Sequence, residues 1–176
     1  MIDQRKLPAV EEYPVFKTYT EVGEAIRSMV IRGAPAIGVA AAMGVALGVR
    51  DSKAGNAAAL REEFDVITNT LASTRPTAVN LFWAIDRMKR LFKEIAADGA
   101  DKRAIADRLI KEALAIQAED IEGNKRMGRL GQELLPNSGT TRVPPICVTS
   151  IGSRCSMGMC EPSGIFRSKV ENGAAT

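Results

Sequence analysis

Arg32-Gly33-Ala34-Pro35-Ala36-Ile37-Gly38-Val39-Ala40-Ala41-Ala42-Met43-Gly44-Val45-Ala46-Leu47-Gly48-Val49 decides the fold. Pro35 suits the first residue of a helix, where its missing N–H is not needed. Behind it, Gly38, Ala42 and Ala46 recur four apart and form a small-residue face that lets another backbone approach closely. A helix this apolar belongs in a core. Its sixteen-residue run, Ala34 to Val49, is too short and too weakly hydrophobic for a membrane span.

Upstream, Thr18 with Glu21 three residues on is a capping signal. Val22, Ile26, Met29 and Val30 follow at helical spacing, which predicts a first helix over 20–31, stopped by Gly33. Residues 7–19, punctuated by Pro8 and Pro14, read as short strands or an extended arm, a short β arm near the start. Downstream, Leu60, Phe64, Ile67 and Leu71 predict a helix over 56–72, broken by Arg75-Pro76-Thr77. Leu81, Ile85, Met88, Phe92 and Ile95 predict another over 77–97, on which Phe82 and Trp83 read as core and Asn80 as lining a pocket. A last helix starts after Asp101 and runs through Ile105, Leu109, Leu114 and Ile121 towards Leu130 and Leu134, with Gly123 as a point of interruption. The fold class is mainly α: a helical-bundle domain over residues 1–135 and an irregular tail over 136–176. The tail holds all three cysteines, four of the eight prolines and six serines, with no sustained period.

Composition narrows the function. Hydrophobic residues are 45% and charged residues 26% of the 176, ordinary for a globular chain that buries a real core. A net charge of +3 and 5% aromatics do not make the footprint of a nucleic-acid binder. The chain has no histidine, which excludes His-based triads, His acid/base catalysis and His-containing zinc sites. Cys147, Cys155 and Cys160 match no metal or redox spacing and read as incidental or buried thiols. No metal is expected. An odd cysteine count and an amino terminus without an apolar core point to a cytoplasmic protein. Glu62-Glu63, Glu119-Asp120, Lys89-Arg90 and Lys102-Arg103 read as solvated helix faces.

Two corners share one chemistry. Arg32-Gly33-Ala34-Pro35 and Arg75-Pro76-Thr77 each put an arginine in a tight turn at the threshold of a helix. A helix start offers unpaired N–H groups and the positive end of its dipole, and a guanidinium supplies a fork for phosphate oxygens. Converging, the two would make a phosphate or phosphosugar site. The plainer alternative is that each arginine neutralises the carbonyl end of the preceding helix.

Thr20 to Ala42, containing Arg32-Gly33-Ala34-Pro35-Ala36-Ile37-Gly38, closely resembles the methylthioribose-1-phosphate isomerase family of methionine salvage. So do Ser73-Thr74-Arg75-Pro76-Thr77-Ala78-Val79-Asn80-Leu81-Phe82-Trp83-Ala84, the opening Ile2-Asp3-Gln4-Arg5, and Ala118-Glu119-Asp120 with Asn124, Gly128 and Gly131. The same superfamily includes ribose-1,5-bisphosphate isomerase and the regulatory subunits of the translation-initiation guanine-nucleotide exchange factor. The resemblance covers residues 2–140. It implies an aldose–ketose isomerase without cofactor, with Arg32, Gly33, Ala34 and Arg75 at the family's substrate-binding positions. Its partners would be a phosphorylated sugar and, in the family, a second copy, an association expected to need the carboxy-terminal domain; neither nucleic acid nor membrane is implied.

The chain also departs from the family. Family members are about twice as long, with a Rossmann-like carboxy-terminal domain carrying a catalytic aspartate; here only its threshold is expected. Where the family has Thr-His-Cys-Asn-Ala-Gly, this chain reads Thr141-Arg142-Val143-Pro144-Pro145-Ile146-Cys147. Cys147 lies nearest the catalytic cysteine position. Similarity resumes at Gly164-Ile165-Phe166-Arg167. Unlike residues between matching flanks are what two compensating reading-frame shifts leave, with a divergent loop as the alternative. The tail, rich in proline and without the rest of a parallel sheet, is expected to be irregular and mobile.

Overall fold

The computed structural model describes residues 1–132, 140–142 and 165–167. Five helices follow in order: α1 (Tyr19–Arg27), α2 (Ala34–Arg50), α3 (Ala57–Ala72), α4 (Val79–Ala97) and α5 (Lys102–Gln132). The chain divides into two compact units, Met1–Gln117 and one beginning at Ala118.

In the first unit, α2 is the central element, packed against α1, α3 and α4. It is buried almost all round from Ile37 to Val49. Three other faces close on it. Val22, Ala25 and Ile26 come from α1, Leu60, Phe64, Ile67 and Leu71 from α3, and Leu81, Ala84, Ile85, Met88, Phe92 and Ile95 from α4. The rings of Phe64 and Phe92 stack with centroids 3.9 Å apart. Ile105, Ala106, Leu109, Ala113 and Ile116 add the first half of α5 to this core. Arg87 Nε donates to Glu112 Oε1 at 2.6 Å, tying α4 to α5.

The mainly α fold and the helix faces follow the periodic pattern, with informative departures. Residues 1–18 form turns and an extended segment but no strand, so the arm takes the extended alternative and there is no β arm. Its two prolines cannot donate to a ladder. The first helix ends at Arg27, short of 31, because Met29 takes a left-handed φ of 66°. Met29 N–H donates to Ile26 O and Ile31 N–H to Ala25 O, closing the helix end with methionine where glycine is usual. Gly123 does not interrupt α5, which is continuous across it.

Phe82 and Trp83 are not core; they are 38% and 46% exposed. The buried stripe of α4 runs 81, 84, 85, 88, and Trp83 stands two residues from Leu81, about 200° round the helix. It faces outward, with the Arg87 guanidinium 5.6 Å from its ring centroid. Leu114 and Ile121, expected on the core face of α5, are likewise exposed.

The second unit holds the end of α5 and, among its described residues, one antiparallel ladder. Thr140–Arg142 pairs with Ile165–Arg167 in the register Thr140↔Arg167, Thr141↔Phe166, Arg142↔Ile165. The ladder joins the two places where the family resemblance stops and resumes, so residues 140–142 and 165–167 are not irregular as expected. Cys147, Cys155, Cys160 and the rest of 143–164 lie outside the described residues.

Candidate functional site

Helix capping separates the predicted corners from the rest of the molecule. Thr18 and Glu21 form a reciprocal capping box on α1. Asn56 Oδ1 accepts from Ala59 N–H at 2.9 Å on α3, and Asp101 Oδ1 from Ala104 N–H at 2.7 Å on α5. Neither α2, which begins behind Gly33, nor α4, which begins behind Ala78, has a side-chain cap, and neither carries an acidic residue in its first turn. These two helix starts therefore present N–H groups and a positive dipole end without a built-in counter-charge. They are the helix starts preceded by Arg32 and Arg75.

The fold brings the two starts together. A Cβ built on Gly38, one turn into α2, would lie 2.9 Å from the backbone oxygen of Asn80, the second residue of α4. Only a residue without a side chain allows this approach. Asn80 thus contributes its backbone as a wall. Ahead of α4, Thr74 is buried; its hydroxyl donates to Leu71 O at 2.6 Å. This anchors the turn from which Arg75 emerges, half-buried, with Nη1 donating to Met29 Sδ at 3.4 Å. Met29 belongs to the turn ahead of α2, so the guanidinium of one corner reaches the other. It does not fold back onto the last carbonyls of α3, where the Leu71 carbonyl is taken by the Thr74 amide and hydroxyl.

Arg32, Gly33 and Ala34 are exposed beside it. Gly33 has φ 91°, a left-handed value that favours glycine, while nothing lies within 4 Å of a Cβ built there. Conformation, not space, requires glycine at this position. The turn is braced by the amino-terminal segment: Gln4 N–H donates to Val30 O at 3.1 Å and Gln4 Nε2 to Arg32 O at 3.2 Å. Beside Gln4, the buried Asp3 carboxylate accepts from the Arg5 amide, Nε and Nη2 at 2.8–3.0 Å. Those bonds hold the Asp3 carboxyl below the ordinary aspartate range.

Two open grooves also lie in this unit. One, about 640 Å³, is lined by Asp51, Glu62 and Glu63 against Lys53, a net negative lining and the wrong sign for a phosphate. The other, about 560 Å³, has Glu21 and Glu24 beside Arg5 and Lys17. The sequence pattern located both arginine corners, but not Met29 or Gln4, whose roles arise from contacts distant in the chain, nor Thr74, whose hydroxyl caps the local carbonyl of Leu71. Among the described residues, no group of three or more His, Cys, Asp or Glu side chains could hold a metal ion.

Residues 30–150 match the Initiation factor 2 subunit family, and the chain belongs to that family. Within it, the chain is 45% identical over 173 residues to the methylthioribose-1-phosphate isomerase of Koribacter versatilis, covering 98% of this chain and 47% of that protein. It is 43% identical over the same length to the enzyme of that name from Thermotoga maritima. Among solved structures, 5-methylthioribose 1-phosphate isomerase from Pyrococcus horikoshii superposes with a TM-score of 0.74 at 43% identity, covering 78% of this chain and 38% of that one. Translation initiation factor eIF-2B, subunit delta, from A. fulgidus gives 0.70 at 36% identity, covering 78% and 39%. The chain spans about half the length of the curated relatives it matches.

Proposed function

We propose that this chain is the sugar-phosphate-binding half of an aldose–ketose isomerase acting on 5-methylthioribose-1-phosphate, with Arg32, Gly33, Ala34 and Arg75 as the phosphate grip. What carries the reading is that, among the described helices, the two starts without a side-chain cap are the two preceded by arginine and are packed together. Its 45% identity to a relative named as that isomerase supplies the substrate.

The conversion to 5-methylthioribulose-1-phosphate is redox-neutral within the sugar. Hydrogen leaves C2 and arrives at C1, the ring C1–O bond opens, and the C2 hydroxyl becomes a carbonyl while the ring oxygen takes up a proton. Such a shift needs a positioned acid/base and a fixed substrate, not an external oxidant. Binding the phosphate by preset N–H groups and two guanidinium forks fixes C1. Cys147 is the residue of this chain assigned to the chemistry, by the family resemblance alone. We place the helical domain at residues 1–135, with 136–176 as the start of a Rossmann-like domain. On this reading the helical domain holds the phosphate, and residues 1–176 by themselves are expected to bind without turning over.

Calorimetric titration of the isolated chain with 5-methylthioribose-1-phosphate is expected to show binding that Arg32→Ala and Arg75→Ala each weaken at least about tenfold. A coupled assay is expected to show no isomerisation. Rapid turnover by the chain alone, or binding indifferent to both arginines, would refute the reading.

A second reading draws on the TM-score of 0.70 to an initiation-factor subunit. In it the chain is a non-catalytic helical module for a phosphorylated small molecule or a protein partner. The coding DNA discriminates. One-base corrections near the codons for Thr141 and Gly164 that restore the family's cysteine motif favour the isomerase, and an intact frame favours the module.

A further inference from the structure

The opening Asp3-Gln4-Arg5 has no part in the phosphate grip, yet its contacts run to the turn that carries it. That turn, Ser28 to Gly33, contains two left-handed residues, Met29 and Gly33; Gly33 O accepts from Ile37 N–H of α2, while the Val30 and Arg32 carbonyls are satisfied from outside the turn. Gln4 serves both, Val30 O through its backbone and Arg32 O through its side-chain amide. Gln4 is itself held from both sides. Asp3 N–H donates to Glu12 O at 2.8 Å, and the Asp3 carboxylate, on a residue only 3% exposed, is taken up by Arg5.

The Arg32 carbonyl and the Gly33 N–H share one planar trans peptide and point in opposite directions. Drawing the carbonyl oxygen towards Gln4 therefore turns the Gly33 N–H away from the arm. Without that bond the plane is free to rotate, because Gly33 has no side chain to hinder it and nothing lies within 4 Å of the place a Cβ would take. We propose that Gln4 is a positioning residue for substrate binding, setting the Arg32–Gly33 peptide so that the Gly33 N–H faces the phosphate. This rests on the reading of Arg32, Gly33, Ala34 and Arg75 as the phosphate grip.

The test is a mutant cycle on the whole chain, titrated with 5-methylthioribose-1-phosphate and followed by amide NMR. Gln4→Glu keeps the side-chain length but faces the Arg32 oxygen with another acceptor; Gln4→Met, equally long and without a donor, serves if the first variant does not fold. Either is expected to weaken binding about three- to tenfold, the worth of one hydrogen bond, and to abolish the ligand-induced shift of the Gly33 amide. Arg32→Ala keeps the backbone carbonyl that Gln4 holds, so the Gln4 effect is expected to persist in that background. Binding by the unaltered chain that Arg32→Ala weakens and Gln4→Glu leaves unchanged would overturn the positioning role alone. So would weakened binding that leaves the ligand-induced shift of the Gly33 amide intact, which marks general destabilisation. No binding by the unaltered chain would overturn the phosphate-grip reading and the positioning role with it.

Discussion

Substituting Gly38 by alanine tests whether α2 and α4 meet backbone to backbone at the candidate site. The added Cβ would lie 2.9 Å from Asn80 O and 3.5 Å from Asn80 C, with no flexible atom to yield. The two helices must separate by a few tenths of an ångström, and overpacking of this kind costs about 1–3 kcal/mol. Against it stands a gain of about 1 kcal/mol from replacing glycine by alanine in a helix. Gly44 is the internal control, because it sits in the same helix and carries the same gain. Its built Cβ meets the tips of Leu71 and Val22 at 3.2–3.3 Å, side chains that can turn aside. Gly44→Ala is thus expected near neutral, and Gly38→Ala below it by about 1–2 kcal/mol.

In urea denaturation, with a slope of about 1–3 kcal/mol per molar for small proteins, that gap separates the two midpoints by about half a molar or more at unchanged slope. The same separation moves the Arg32 turn away from the Arg75 turn, so Gly38→Ala is also expected to weaken sugar-phosphate binding while Gly44→Ala does not. A Gly38→Ala chain as stable as Gly44→Ala would refute the backbone contact and, with it, the pairing of the two helix starts.

Other outcomes follow from the same contacts. Ala78→Asp supplies the cap that α4 lacks and is expected to stabilise the chain by about 1 kcal/mol; it should also suppress sugar-phosphate binding, because the new carboxylate occupies the N–H groups meant for the ligand. A thermal melt and a titration on one sample check both. Trp83→Ala is expected to cost about 1 kcal/mol or less, since it removes an exposed ring and one cation–π contact, whereas Met88→Ala on the buried stripe should cost about 2–5 kcal/mol; equal losses would mean the ring is core after all. Asp3 titrates below its ordinary value because Arg5 holds it charged, so the folded arm binds fewer protons than the unfolded one between the two values. Its contribution is present above about pH 4 and fades as the pH falls through the lowered value, which proteolysis of the arm across an acid series reads directly; Asp3→Asn should remove that step.

The helix faces were legible because burial repeats with the helix period: 60, 64, 67, 71 and 81, 85, 88, 92, 95 are all buried. For Trp83 hydrophobicity and position disagree, and position wins: measured round the helix from Leu81, the same period places it opposite the core. The end of α1 was not legible, since Met29 has no intrinsic preference for the left-handed conformation it adopts. Both arginine corners were visible as local patterns, but local pattern alone could not choose between an anion site and the neutralising of a helix end. The facts that favour the anion site are tertiary: Gly38 against Asn80, the Arg75 guanidinium reaching Met29, and, among the described helices, two starts left uncapped where the other three are capped. Leaving a helix start without a cap forgoes about 1 kcal/mol of stability. On the proposed reading, a fold that forgoes it twice, at adjacent starts each preceded by an arginine, leaves those N–H groups to a ligand rather than to its own side chains.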